Sequence, residues 1–313
     1  MSRAFVFPGQ GSQAVGMGKT LVDNFPEARA VFEAVDDALG EKLSTVVFEG
    51  PEDALTLTQN AQPALMAVSL AAVKVLESKG AAVEGLCSHV AGHSLGEYSA
   101  LAAAGALDIG DTARLLRTRG SAMQKAVPVG VGAMAALLGL DLAGARDVAA
   151  EAAQGEVCEA ANDNTDAQVV VSGHRGAVER AVEIAKGRGA KRSVMLQVSA
   201  PFHCQLMAPA ADAMAEALAG VTINAPKVPI VANVAAAAVT DPETIRALLI
   251  KQVTGAVRWR ESMLYLKDQG VTELVEIGAG KALSGMAKRI DRSLGTATVG
   301  TPEDVATFIE NLS

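Results

Sequence analysis

Short apolar runs at residues 4–7, 88–92, 229–232, 272–276 and 295–299 are separated by longer stretches in which apolar positions recur every three or four residues. Four or five consecutive apolar positions bounded by turn residues predict strands buried on both faces. Their alternation with helical stretches predicts an α/β protein with a mostly parallel sheet. Helix punctuation is visible from about Pro26 to Gly40, from about Ala61 to Gly80, and at Thr301-Pro302-Glu303, where a last helix opens.

Between about Val127 and Gln197 the rhythm changes. A strand at 133–138, a helix at 142–153, strands at 157–161 and 168–172, a helix at 176–187 and a strand at 192–197 follow in turn. That order, βαββαβ, is the split-βαβ unit of ferredoxin-like folds. It predicts a small ferredoxin-like subdomain at 128–197 inserted into a large α/β domain made of 1–127 and 198–313. Pro128–Gly132 and Ser199–Pro201 are the expected hinges, with a cleft between the two parts. A length of 313 residues agrees with two units at about 150 residues per domain.

Composition narrows the functional classes. A formal charge of -8 opposes general affinity for nucleic acid or acidic membranes. Any acidic partner needs a local basic patch, for which Lys186, Arg188, Lys191 and Arg192 or Lys281, Lys288 and Arg289 are candidates. Aromatic residues make up only 3% of the chain while Ala and Gly are plentiful, which suits close packing of helices on a sheet. The apolar stretch in MSRAFVFPGQG is too short for a signal peptide, and no uninterrupted apolar run of about 18 residues follows. Three cysteines (Cys87, Cys158, Cys204) without metal-ligand spacing read as reduced thiols in a cytoplasmic protein.

The chemistry begins at Gly92-His93-Ser94-Leu95-Gly96, which follows an apolar run and precedes the helical run 97–104. A G-x-S-x-G segment between strand and helix is a nucleophile elbow, in which glycines permit a sharp turn and the serine hydroxyl stands above the sheet. Ser94 is the candidate nucleophile, and the Leu95 N–H is free to donate to an oxyanion. The loop Gly9-Gln10-Gly11 formally fits a dinucleotide fingerprint, but the second strand ending in an acid is missing. It reads better as a loop whose Gln10 N–H completes the oxyanion hole. Gly16-Met17-Gly18-Lys19-Thr20 is no P-loop either, because Gln13 stands where the first glycine is needed.

A serine nucleophile needs a base, and only four histidines exist. His89 and His93 read as packing residues and His174 as a solvated turn residue, which leaves His203 beside the second hinge. On the helix predicted at 111–125, Arg119 falls on the apolar stripe with Leu115, Leu116 and Met123, whereas Arg114 and Arg117 read as solvated. A buried guanidinium needs an anion, either an acid from elsewhere in the fold or the carboxylate of a ligand.

Taken together, these segments resemble the malonyl-CoA:acyl carrier protein transacylase family over nearly the whole chain. The resemblance rests on Phe7–Gln13, Gln62-Pro63-Ala64, Gly92–Glu97, Arg119-Gly120, Ala200–His203, the region from Gln252 to Trp259, and Glu276–Gly278 with Gly280-Lys281. It implies a large hydrolase-like α/β domain with a ferredoxin-like insertion. It also implies Ser94 as the acylated residue, His203 as base, Arg119 as partner of the malonyl carboxylate, and Gln10 and Leu95 as oxyanion donors. By the same resemblance Gln252 orients the histidine through its backbone carbonyl, and Phe202 and Met123 bear on acyl selectivity. The implied partners are malonyl-CoA and acyl carrier protein, with no cofactor beyond the coenzyme A thioester, no metal, no nucleic acid and no membrane, for a monomer. A serine hydrolase or thioesterase on the same elbow, a polyketide-pathway acyltransferase and a non-catalytic carrier-binding module are the competing readings.

Overall fold

The computed structural model describes residues 2–312. Its ten strands are β1 (Arg3–Phe7), β2 (His89–Gly92), β3 (Gly132–Leu138), β4 (Cys158–Thr165), β5 (Gln168–His174), β6 (Arg192–Met195), β7 (Ile230–Ala232), β8 (Ala237–Val239), β9 (Glu273–Ile277) and β10 (Gly295–Val299). They form a six-stranded sheet in the order β10-β9-β1-β2-β7-β8 and a four-stranded sheet in the order β4-β5-β3-β6. The large sheet is parallel apart from the β7–β8 edge pair, and the small one is antiparallel throughout. The mixed α/β class expected from the alternating pattern is therefore what the chain adopts.

Alternation along β1 explains how the large sheet is covered on both faces. Phe5 and Phe7 point into one core with the helix Thr58–Ser78, while Ala4 and Val6 point into another with Trp259 and Met263. The helix Thr58–Ser78 is buried almost all round, as its Ala- and Leu-rich composition demands. In the small sheet, Ala133, Ala135 and Leu137 face its own two helices, whereas Met134 and Ala136 face the main core. One face of the small sheet thus looks onto the large unit.

Two differences from the sequence pattern place polar groups near that face. The strand starting at Cys158 runs on through Asn162-Asp163-Asn164-Thr165, which reads as a polar loop yet is buried. Its register shifts twice against β5, between Ala160 and Asn162 and between Asp163 and Thr165, and such bulges re-aim side chains. Backbone bonds from Asp163 N–H to the Val257 carbonyl (2.9 Å) and from Val257 N–H to the Ala161 carbonyl (2.8 Å) then tie this strand to the large unit. Arg260 adds an ion pair to Asp163 at 3.1 Å. In contrast, β6 stops at Met195, and Leu196, Gln197 and Val198 leave the sheet to line a cavity. The segments Pro128–Gly132 and Ser199–Pro201 lie against each other: a Cβ on Gly132 would fall 2.2 Å from the Pro201 ring.

No helix among the described residues is long and apolar enough to cross a membrane. Cys87, Cys158 and Cys204 are free and buried.

The close approach of the helices Thr58–Ser78 and Ile109–Lys125 depends on Gly120, where a Cβ would lie 2.6 Å from both Gln59 Cα and the Thr58 carbonyl oxygen. Backbone atoms cannot step aside as a flexible side chain can. Gly120→Ala is expected to lower the unfolding free energy by about 1–3 kcal/mol, read from the urea midpoint, through overpacking at this crossing.

Candidate active site

Ser94 lies just beyond the C-terminal end of β2, where open parallel sheets place their sites. Its φ of 55° is left-handed, a conformation that costs a non-glycine residue energy and is held by its surroundings. The flanking glycines are sterically obligatory. A Cβ on Gly92 would sit 1.9 Å from the Gly96 carbonyl, and one on Gly96 would sit 2.2 Å from the Phe7 carbonyl oxygen. His203 is also left-handed, at 58°.

These two strained residues meet. Ser94 Oγ and His203 Nε2 are 2.7 Å apart. On the other side of the ring, His203 Nδ1 faces the carbonyl oxygens of Gln252 at 2.9 Å and Gly255 at 3.2 Å. Carbonyls only accept, so Nδ1 carries the hydrogen, Nε2 is the acceptor, and the Ser94 hydroxyl donates to it. Burial, and after it the positive charge of Arg119, pushes the His203 pKa down to about 3, so the ring is neutral at physiological pH.

Arg119 is 1% exposed. Its Nη1 donates to Gln62 Oε1 at 2.9 Å, and its Nη2 donates to Gln252 Oε1 at 2.8 Å and to Ser94 Oγ at 3.1 Å. None of these acceptors is a carboxylate, and Nε has no partner. The guanidinium lies over the Tyr98 ring, with Cζ 5.7 Å from its centroid. A buried cation is thus held by neutral dipoles around the Ser94 hydroxyl.

The remaining predicted residues, apart from Gln252, surround the same cavity of about 350 Å³, lined by Gln10, Gln62, Ser94, Arg119, Met123 and His203 among others. Leu95 and Phe202 belong to its wall as well. The Gln10 loop is pressed onto the elbow: a Cβ on Gly9 would lie 2.7 Å from the His93 carbonyl oxygen. The Gln10 side chain is tethered by Nε2 donating to Thr58 Oγ1 at 3.2 Å. Gln252 contributes more than its carbonyl, for its Nε2 donates to the Ser94 carbonyl at 3.0 Å and to Glu97 Oε2 at 2.8 Å. Among the described residues no group of three or more His, Cys, Asp or Glu side chains is arranged to hold a metal ion.

Two expectations about neighbouring residues need correction, and a third holds with an addition. His174 is no solvated turn residue, because its Nδ1 accepts the Val157 N–H at 2.9 Å. Arg117 is bound to Asn60 and Glu41. His93 does pack, against Trp259 with centroids 5.5 Å apart, but it also lines the cavity and pairs with Asn164 Oδ1 at 2.9 Å.

Asn233 is the residue that sequence reasoning missed. Its Oδ1 accepts the Ser94 N–H at 2.8 Å, its Nδ2 donates to the Gly92 carbonyl at 2.7 Å, and its own N–H donates to Glu97 Oε2 at 3.0 Å. It pins the elbow from outside. Its place right after β7, at the same sheet end as Ser94, was the available signal.

The chain matches the acyl transferase domain family over residues 4–308. It is 45% identical over 310 residues to the malonyl CoA-acyl carrier protein transacylase of Bacillus subtilis, covering 99% of this chain and 96% of that one. The chain belongs to this acyltransferase family. The crystal structure of acyl-carrier-protein-S-malonyltransferase from Bartonella henselae superposes with a TM-score of 0.98 at 56% identity, covering 100% of this chain and 99% of that one. A malonyl-transacylase solved in complex with its type II PKS acyl-carrier protein superposes with a TM-score of 0.96 at 43% identity, covering 99% and 100% of the two chains.

A depressed His203 pKa has a direct consequence. A base must be neutral to accept a proton, and a group with lowered pKa stays neutral to lower pH. The rate of Ser94 modification by a fluorophosphonate probe is therefore expected to hold nearly constant from about pH 8 to about pH 5, with no fall centred on the ordinary histidine value of about 6.5. A tenfold loss across that range would show the imidazole to be titrating normally.

Proposed function

We propose that the protein transfers a malonyl group from malonyl-CoA to the phosphopantetheine thiol of acyl carrier protein through a malonyl-Ser94 intermediate, for fatty-acid biosynthesis. The observation that carries this reading is the buried guanidinium of Arg119, 3.1 Å from Ser94 Oγ and without a carboxylate partner of its own. In a malonyl thioester the free carboxylate is two bonds from the carbonyl carbon. A guanidinium adjacent to the nucleophile is where that carboxylate falls when the carbonyl carbon meets Oγ.

In the proposed first half-reaction, His203 Nε2 takes the hydroxyl proton as Ser94 Oγ bonds to the thioester carbon. The Gln10 and Leu95 N–H groups hold the resulting oxyanion. The C–S bond then breaks, the proton passes from His203 to the coenzyme A thiolate, and malonyl-Ser94 is left. The second half runs in reverse, with the carrier's thiol giving its proton to His203 and attacking the ester, and with Ser94 Oγ recovering the proton as it leaves. Substrate binding assists the base, since a carboxylate on Arg119 offsets the positive charge that helps to hold the His203 pKa down. Phe202 and Met123, in the cavity wall, are the proposed limits on acyl shape.

The imidazole faces two backbone carbonyls in place of the acid that a hydrolase triad would put there, which favours transfer over the thioesterase reading. For the acidic carrier, Lys281 and Lys288 are the favoured basic patch. Both are exposed on or beside the helix Ala282–Ile290, and the preceding Gly280 lies against Ser12 of the loop that carries Gln10. In the other patch, Lys186 and Arg188 already pair with Glu183 and Glu151. This reading takes the protein as a cytoplasmic monomer working on malonyl-CoA and acyl carrier protein, with no nucleic-acid or membrane partner and no resident cofactor or metal.

Intact-protein mass spectrometry after brief exposure to malonyl-CoA or acetyl-CoA tests the reading. The wild type is expected to gain one malonyl group and Ser94→Ala none. Arg119→Ala is expected to lose malonylation by roughly 10²–10³-fold while acetylation falls far less. A wild type acetylated as readily as malonylated would overturn it.

A further inference from the structure

Glu97 is an acid buried beside the site that the reaction above does not use. It is 2% exposed, and burial raises its pKa to about 7 against the opposing effects of Asn233, Gln252 and Arg119. It neither lines the cavity nor touches Ser94 Oγ or His203. Its Oε2 accepts from Asn233 N–H at 3.0 Å and from Gln252 Nε2 at 2.8 Å. The other end of the Gln252 amide, Oε1, accepts from Arg119 Nη2 at 2.8 Å.

An amide between a cation and an anion aligns its dipole with the field, oxygen toward the cation and nitrogen toward the anion, as Gln252 does here. The arrangement separates two requirements on Arg119. A buried guanidinium needs a compensating charge to remain ionised and folded in place. A carboxylate directly on its fork would supply that charge but would block the acyl carboxylate. With Glu97 one amide removed, the charge is offset and the donors facing the cavity are held only by neutral acceptors.

We propose that Glu97 is a positioning and charge-compensating residue that, acting through Gln252 and without touching substrate, sets how strongly Arg119 holds the carboxylate of the acyl group. A carboxylate on Arg119 would feel repulsion from Glu97, so the hold is weaker than a lone buried guanidinium would exert. An enzyme that must take up its acyl group and then release it in every cycle gains from that moderation, because binding that is equally strong in ground and transition states does not speed turnover.

The inference rests on the malonyl-transfer reading, and the experiment separates the two. Glu97→Gln keeps the shape and an acceptor oxygen for Asn233 and Gln252 but removes the charge. The KM for malonyl-CoA is expected to fall roughly three- to tenfold relative to the inhibition constant of acetyl-CoA, which lacks the carboxylate. Equal shifts in both constants, or a selective weakening of malonyl-CoA, would overturn the proposal and leave Glu97 a structural residue. Absence of malonyl transfer by the wild type would instead overturn the function itself.

If the variant does not fold, the wild type supplies the same test. The groups facing Glu97 are Arg119 from the helix Ile109–Lys125, the neutral amides of Gln252 and Asn233, and Tyr98 on its own helix, whose pKa burial pushes up and out of range. His203 is already neutral. Between about pH 8 and about pH 6 Glu97 therefore gains its proton, and the same ratio is expected to fall several-fold as the pH is lowered. A flat or rising ratio overturns the proposal.

Discussion

A fully buried guanidinium with no carboxylate on it is the constraint around which this site is built. Leaving Arg119 unsolvated is costly unless its donors are met, and the fold meets its two terminal nitrogens with Gln62, Gln252 and the Ser94 hydroxyl, leaving Nε without a partner, while Tyr98 covers one face. Each acceptor comes from a different element: the helix Thr58–Ser78, the helix Pro242–Thr254 and the elbow after β2. The guanidinium cross-links them at the point where the hydroxyl must stand. Helix packing serves the same end, since Gly120 lets the helix carrying Arg119 close onto the one carrying Gln62.

The two residues proposed to react are both strained. Ser94 and His203 both adopt left-handed backbone, and each is over-determined by contacts. Asn233 clamps the elbow through Ser94 N–H and the Gly92 carbonyl, and Gln252 holds both the imidazole, through its carbonyl, and the elbow, through its amide. Gln252 thereby joins Ser94, the His203 imidazole, Arg119 and Glu97 in one hydrogen-bonded unit. A change at any member should be felt at the others, so single substitutions here are not expected to add.

The α/β class was legible because strands buried on both faces must be continuously apolar, and the strand-turn-helix around Ser94 because glycines at 92 and 96 leave few other readings. Placement of Arg119 inside the fold followed from the apolar stripe it shares with Leu115, Leu116 and Met123, but its acceptors did not, since amides 57 and 133 residues away carry no local pattern. Asn162 to Thr165 illustrate a different obstacle. Four consecutive polar residues resemble a surface loop, and only the bulges in β4 and the docking of Val257 and Arg260 turn them inward. Asn233 was hidden for a related reason: one asparagine after a short strand becomes informative only when the sheet order puts that strand beside β2.

A crystal structure of the protein after soaking with malonyl-CoA tests the central claim, that Arg119 is kept free of intrachain carboxylates so that it can take the one on the acyl group. The account predicts a malonyl ester on Ser94 Oγ whose free carboxylate accepts from the Arg119 guanidinium, with the Gln252 amide still lying between Arg119 and Glu97. An ester whose carboxylate points to solvent, with Arg119 still bound only to Gln62 and Gln252, would contradict it.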